Sequence, residues 1–438
     1  MQRKETQPRL IRAMIDVFSL PDLRRKLLFT LGLLVVFRFV AHVPLPGVDL
    51  DALQQLFEQN QILGMLDLFS GGAMRRFSVA ALGVYPYITA SIIMQLLVPV
   101  IPSLQSIARE GEAGQRKINR ITHLMTVPLA VLSGYGQLAL LHSQNVVGQL
   151  EPLTIVVIVT SLTAGTVFLV WLGELITERG IGNGISMIIF AGIVASLPEM
   201  VGRGFLAKED PLGLLTFIVL SLATLVFIVI FIEAHRRIPV QYARGTIRGG
   251  RMYRQSGSTY IPLRVNTAGM IPLIFAIALM TFPGTLASYF ASPVGQSPNL
   301  ASKIMQIFNP QAAPPLGLLY RGLYFALVIG FAFFYTMIIF EQMNLPGTLQ
   351  QQGGFIPGVR PGKATADYLN RVIRHLTFGG ALFLAIVAIM PFIARDITGV
   401  TVLTIQSTAL LIAVGVALDT MKQLEAQLTM RRYEGFLK

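Results

Sequence analysis

The chain has no cysteine, which excludes a disulfide framework, a thiolate metal site and a cysteine nucleophile, and leaves its redox compartment unread. Charge is scarce as well: Asp, Glu, Lys and Arg make up 13% of its 438 residues, against roughly 25% in a soluble domain. With 35 basic and 22 acidic side chains, a water-soluble fold of this size could not cover its surface, and 53% of the residues are hydrophobic. An ordinary cytosolic protein is therefore excluded, and the apolar excess must face lipid. No Gly-rich P-loop precedes a Lys-Ser or Lys-Thr pair, so the sequence offers no nucleotide site of that kind.

What is present is a series of apolar runs. A membrane-crossing helix needs about 20 largely apolar residues, and ten such runs occur near 27–46, 77–101, 121–141, 153–175, 185–201, 212–232, 266–292, 317–340, 376–393 and 400–418. The basic segment 1–26 leads into the first run without a small-residue cleavage site, which reads as a retained anchor. Lys and Arg fix orientation. Segments 1–26, 102–120, 174–184, 233–264, 341–375 and 419–438 hold 27 of them and the opposite side six. Both termini are expected to be cytoplasmic. The predicted fold is an all-α polytopic membrane protein, with an N-terminal half over 27–201 and a C-terminal half over 212–418.

The stretch from Ile62 to Met74 is apolar but too short to cross. It follows the polar segment 51–61 and ends at Gly71-Gly72, where a helix can break and the chain turn back. A re-entrant segment and an interfacial helix on the outer face are the two readings of it.

Ten spans divide into five and five, so the second half enters the membrane inverted, and in such folds Gly/Pro-interrupted segments at matching positions mark the working site. The second span reads Gly83-Val84-Tyr85-Pro86-Tyr87-Ile88 and the seventh Gly269-Met270-Ile271-Pro272-Leu273-Ile274. Both are G-x-x-P-x-I, and a proline inside each helix predicts a kink near mid-membrane.

Inside the spans, groups that carry coupled ions are missing: no acid lies in the middle of any span, and Arg38 and Arg321, the interior charges, are near enough to the ends to snorkel. This argues against a five-plus-five secondary transporter for a small solute. The histidines His42, His123, His142, His235 and His375 form no pair at metal-binding helical spacing. Ser186 has no histidine near it in the sequence, so small-residue helix packing accounts for it better than an intramembrane protease. No constellation supports an enzyme, and no cofactor is expected. Aliphatic pairs four apart, Val84 with Ile88 and Ile185 with Ile189, each share a helix face beside small residues, as ordinary packing also would.

Two basic loops stand out. Segment 233–264 carries seven arginines, Arg244, Arg248, Arg251 and Arg254 among them, against one acid, Glu233, with Tyr242, Tyr253 and Tyr260 interleaved. That is more charge than orientation needs, and planar guanidinium suits bidentate phosphate or carboxylate contacts. The second loop holds Gly353-Gly354-Phe355-Ile356-Pro357-Gly358-Val359-Arg360-Pro361-Gly362, whose turns can present Arg360 at an exposed tip. The first is a predicted docking arm; the second reads equally as a plain surface turn.

Several stretches carry a family resemblance: Phe69 to Ala73, Tyr87 to Ile93, Trp171 to Ser186 (WLGELITERGIGNGIS), Ile261 to Pro272 (IPLRVNTAGMIP), the Gly353 to Gly362 turn, and Tyr433-Glu434-Gly435. Along nearly its whole length the chain resembles the SecY family, the pore-forming subunits of the bacterial protein-conducting channel. The resemblance implies two inverted five-helix halves closed as a clamshell around an hourglass pore. Unfolded secretory polypeptides would cross it, and apolar segments would leave sideways into lipid. It puts an aliphatic pore ring on Val84, Ile88, Ile185, Ile189, Ile274 and Ile412. A plug would fall on Ile62, Leu63, Met65, Leu66, Leu68, Phe69, Gly71 and Gly72, with Gln95 and Asn266 as polar residues of a lateral gate between spans 2 and 3 and spans 7 and 8. Implied partners are the small membrane subunits SecE and SecG, the SecA ATPase, the ribosome, unfolded preprotein with its signal peptide, and phospholipid, but no DNA; the two basic loops, with Arg244, Arg248, Arg251 and Arg254 on the first and Arg360 at the tip of the second, would dock the ribosome or SecA. The implied location is the bacterial plasma (inner) membrane. Two departures are visible: Val84 replaces a usual isoleucine, and Glu341-Gln342 stands where Asn-Pro is commoner.

Overall fold

The computed structural model describes residues 20–435, apart from 60–66, 68–69, 109, 144–145, 148–150, 207–210, 249–250, 270, 289, 291–298, 310–311, 313 and 399–403. In chain order its elements are α1 (Pro21–Val40), α2 (Leu50–Gln59), α3 (Tyr85–Leu97), α4 (Pro102–Ala108), α5 (Glu112–Ser143), α6 (Pro152–Arg179), α7 (Gly184–Leu206) and α8 (Pro211–Glu233). Then follow β1 (His235–Arg248), β2 (Arg251–Arg264), α9 (Ile271–Ser288), α10 (Leu300–Ile307), α11 (Leu316–Met343), α12 (Leu345–Gln351), β3 (Gly354–Phe355), α13 (Lys363–Thr398) and α14 (Thr404–Gly435). Each predicted span overlaps one of these helices, with shifted ends. Among the described residues α5, α6, α11 and α13 are long and apolar enough to cross a membrane, and α3 with α4, bent by 101° at their break, make a fifth candidate. Shorter apolar helical segments occupy α7, α8 and α9.

The kinks expected at the repeated prolines are replaced by helix starts. Gly83 (φ 57°) and Gly269 (φ 64°) both adopt the left-handed backbone conformation. In each case the helix begins two residues later, with Pro86 and Pro272 as its second residue. Proline in a first turn lacks only an N–H that would have no helical partner, so it starts a helix without bending one. The chain from Phe77 to Val84, predicted as the first part of a span, forms turns. The G-x-x-P-x-I repeat is thus a repeated interruption, an unwound turn followed by a helix start.

The chain divides into two compact units, one comprising Met1–Glu209, Ala278–Tyr320 and Ala409–Lys438, the other Asp210–Ile277 and Arg321–Thr408. In the first, a core unites Leu45 and Leu53 with Met74, Phe77, Leu138, Leu141, Val147 and Leu162. It joins the loop after α1, the start of the 74–84 turns and the segment linking α5 to α6, and bridges Pro44–Ser78 and Val48–Val147 tie the same loops. A second cluster gathers Leu23 of α1, Ile181 of the α6–α7 turn, and Leu424 and Leu428 of α14. These belong to three segments predicted to lie on one side of the membrane.

The second unit holds the largest departure from the all-α expectation. Segment 233–264 is an antiparallel hairpin of two 14-residue strands paired from His235–Arg264 to Arg248–Arg251, and β3 adds to β1 at Gln241–Phe355 and Tyr242–Gly354. Ile238 and Val240 alternate inward and pack with Leu263, Leu349, Ile356, Leu369, Val372 and Ile373. The last three repeat at helical spacing on the part of α13 that precedes its predicted span. The two basic loops therefore share one small core.

Candidate functional site

The ring candidates are placed by their own helices. Val84 is the N-cap residue of α3 and accepts the Ile88 backbone N–H at 3.1 Å, so the two stack one turn apart. Ile185 and Ile189 take the same relation in the first turns of α7. Val84, Ile88, Ile189 and Ile412 are buried, as is Ile274 of the other unit, while Ile185 is half-buried.

Of the plug candidates, Ile62, Leu63, Met65, Leu66, Leu68 and Phe69 lie outside the described residues. The root of the segment is described, and it is built around a residue that sequence reading passed over. Asp67 is buried; its Oδ1 accepts from Ser70 Oγ at 3.0 Å and from the Met74 and Arg75 backbone N–H groups at 3.2 and 3.4 Å. Its Oδ2 pairs with Arg75 Nε at 2.8 Å, and the Arg75 guanidinium lies over the Phe57 ring of α2. One carboxylate thus closes residues 67–75 into a loop. Burial pushes the Asp67 carboxyl above the usual carboxylate range, against the opposing pull of Arg75 and Ser70. The signal available in the sequence was a lone acid inside an apolar run, eight residues before an arginine.

Gly71 fixes where this loop sits. Its φ of 68° is the left-handed conformation, and a β-carbon there would lie 2.6 Å from the Gly192 Cα and 3.1 Å from the Phe37 ring. Gly192 is three residues beyond Ile189 on α7, so the loop at Gly71 rests on the helix that carries two ring candidates. Arg38 donates from Nη1 to the Gly71 carbonyl at 2.7 Å. Both interior arginines have partners: Arg38 holds the loop at Gly71, and Arg321 pairs with Asp396 at 2.5 Å.

The gate candidates differ. Gln95 donates to Ser91 Oγ at 3.2 Å one turn back, while its buried Oε1 has no hydrogen-bond partner among the described residues. Asn266 is buried and donates to the Gly269 carbonyl at 2.9 Å, bracing the turn ahead of α9. Among the docking candidates, Arg360 is exposed, two residues past Gly358, which has φ 82°. Arg244 and Arg254 fall at neighbouring rungs of the hairpin, pairing with Gln255 and Gly245, and Arg248 pairs with Arg251 at its end.

A family model described as SecY matches residues 78–421. The protein translocase subunit SecY of Streptomyces lividans is 43% identical over 449 residues, covering 98% of this chain and all of the relative. That of Halalkalibacterium halodurans is 42% identical over 442 residues with the same coverage. A solved structure described as a protein conducting channel superposes with a TM-score of 0.65 at 19% identity, over 92% of this chain and 91% of that one. Sec61 in the canine ribosome–channel complex from the endoplasmic reticulum gives 0.63 at 19% identity with the same coverage.

Proposed function

This chain belongs to the SecY family, and from that premise we propose that it is the central channel subunit of a protein translocase. It passes unfolded secretory polypeptides across the membrane and releases apolar segments sideways into lipid. The observation that carries this reading is the seat of Gly71 on Gly192, which puts the root of the short segment within one turn of Ile189. On this reading Val84, Ile88, Ile185, Ile189, Ile274 and Ile412 make up the constriction, and residues 62–72 the plug. Burial of five of the six supports the ring.

An aliphatic ring suits this work because it dewets and blocks ions when empty. It also offers no fixed hydrogen bonds or charges, so chains of any sequence slide through without being held. Apolar substrate segments leave for lipid because each buried CH₂ yields roughly 0.8 kcal/mol. Gln95, with an unpartnered buried oxygen, is the stronger gate candidate, since Asn266 is engaged in its own turn.

The chain is a passive channel driven by a partner. The shared core of the hairpin and the Arg360 loop supports one docking module, built on α13, that receives the ribosome or the SecA ATPase. Arg244, Arg248, Arg251 and Arg254 lie along its hairpin and Arg360 at its second tip. SecE and SecG complete the membrane complex. The excess of Lys and Arg on one side supports cytoplasmic termini in a bacterial inner membrane.

A cysteine at Ile412 tests the channel directly, free of background because the native chain has none. A crosslink from it to a stalled secretory chain, with none from a lipid-facing control, is the expected result. Intact translocation without that crosslink would remove Ile412 from the path.

A further inference from the structure

Helices α11 and α13 of the second unit treat their opposite charges differently at their two ends. Near the start of α11, Arg321 meets the Asp396 carboxylate with two donors, at 2.5 and 3.2 Å, and its guanidinium lies over the Phe392 ring at 5.6 Å. Near its other end the helices line a cleft of about 480 Å³ that contains Glu341 of α11 and Arg374 of α13. Their side chains form no ion pair with each other, and among the described residues neither side chain has a hydrogen-bond or ion-pair partner. Phe333, Met337 and Phe340 of α11 and Ile373 of α13 supply an apolar wall. Met337 is 62% exposed on a helix apolar enough to lie in lipid.

Opposite charges that share a cleft without touching fit a ligand that carries both signs a short link apart. The apolar wall beside them asks for hydrocarbon on the same molecule. We propose that this cleft binds a phospholipid with a primary-amine headgroup, of the phosphatidylethanolamine class. Arg374 takes the phosphate through its planar fork, Glu341 accepts from the ammonium, and an acyl chain lies along Phe333, Met337 and Phe340. The volume lies within the roughly 300–1,000 Å³ of small-molecule sites. A purely anionic headgroup would meet Glu341 with the wrong sign, and a choline headgroup has no N–H to donate to it. The inference rests on the reading of the chain as a membrane channel, but on neither its ring nor its plug.

The test uses the full chain reconstituted in phosphatidylcholine vesicles that carry a trace of phosphatidylethanolamine, phosphatidylcholine or phosphatidylglycerol with a photoreactive acyl chain, followed by mapping of the labelled peptides. Phosphatidylethanolamine is expected to label 333–341 and 370–377 several-fold more than the other two. Glu341→Gln should bring that labelling down to the phosphatidylcholine level, and Arg374→Gln should reduce both. Equal labelling by all three headgroups would mean annular lipid only and overturn the site. Stronger labelling by phosphatidylglycerol would mean that Arg374 reads an anion alone and overturn the amine contact. Displacement of the lipid on adding the small membrane subunits would make the cleft a protein seam. Translocation in the same vesicles reports on the channel separately: a variant that loses the lipid and still translocates strikes this site alone.

Discussion

Gly71 and Gly192 meet backbone to backbone, with the Gly192 Cα 2.6 Å from where a Gly71 side chain would begin. The approach leaves no room for a methyl from either partner. Gly192 is helical and free of the left-handed strain of Gly71, so Gly192→Val adds bulk without a backbone penalty. Overpacking of this kind costs about 1–3 kcal/mol, and here it should be relieved by displacing the plug root rather than the helix. Conductance of the resting channel in a planar bilayer is expected to rise, while secretory translocation continues. A variant that stays electrically tight would detach this contact from the seal.

The ion pair at the plug root should respond unequally to losing its two members. The Arg75 side chain is 30% exposed and that of Asp67 only 9%, so an unpaired arginine can reach water and an unpaired carboxylate cannot. Arg75→Gln is expected to cost up to about 3 kcal/mol, the lower end of the range for a broken buried pair, and Asp67→Asn clearly less. A folded-state carboxyl already above its unfolded value rises further without its counter-charge. Its stabilising contribution is then complete below the unfolded pKa and lost as pH rises through the folded one. Arg75→Gln protein should therefore melt lower at neutral than at mildly acidic pH, and the double variant Asp67→Asn/Arg75→Gln should lose that dependence. Thermal unfolding in detergent at two pH values checks both.

At the proposed constriction, Ile88→Asn and Ile412→Asn each replace a buried aliphatic side chain with one that holds water. Wetting removes the dewetting barrier, so both variants should leak small ions at rest, and Ile88→Val should not. Unchanged conductance in both asparagine variants would take these residues out of the ring.

The helices were legible because an apolar run long enough to cross a bilayer has few other uses. The hairpin was not, since its arginines broke the apolar periodicity. Its signals were weaker: the Gly249-Gly250 pair at a two-residue connection, and Ile238, Val240 and Tyr242 alternating on one strand. The repeated Gly and Pro marked the right positions for the wrong reason. Proline kinks a helix only from its interior, and after the left-handed glycines each helix starts just one residue before its proline, too late for the predicted kink. Contacts such as Gly71 with Gly192, or Arg38 with the Gly71 carbonyl, depend on close packing between distant segments, for which a single sequence holds no periodic mark. Asp67 was readable in principle, as an acid where lipid-facing sequence has no use for one.

Docking can be separated from folding within the module that joins the two basic loops. Arg360 is exposed, whereas Leu369, a few residues on, is fully buried against the base of the hairpin. Arg360→Glu changes only a surface charge and should leave thermal stability within about 0.5 kcal/mol of the parent. It should nevertheless uncouple the motor or the ribosome, because a carboxylate repels the acidic or phosphate groups that an arginine tip would contact. Leu369→Ala removes core volume at a typical cost of about 2–5 kcal/mol, loosening the seat that sets both tips. Its expected defect is different in kind: melting falls first, and coupling falls with it, to be restored at lower temperature. Translocation driven by the ATPase, measured in vesicles beside the melting of each variant, distinguishes them. Normal coupling in stable Arg360→Glu protein would take that residue out of the docking surface, and a coupling loss that cooling repairs would show that it acts through the fold.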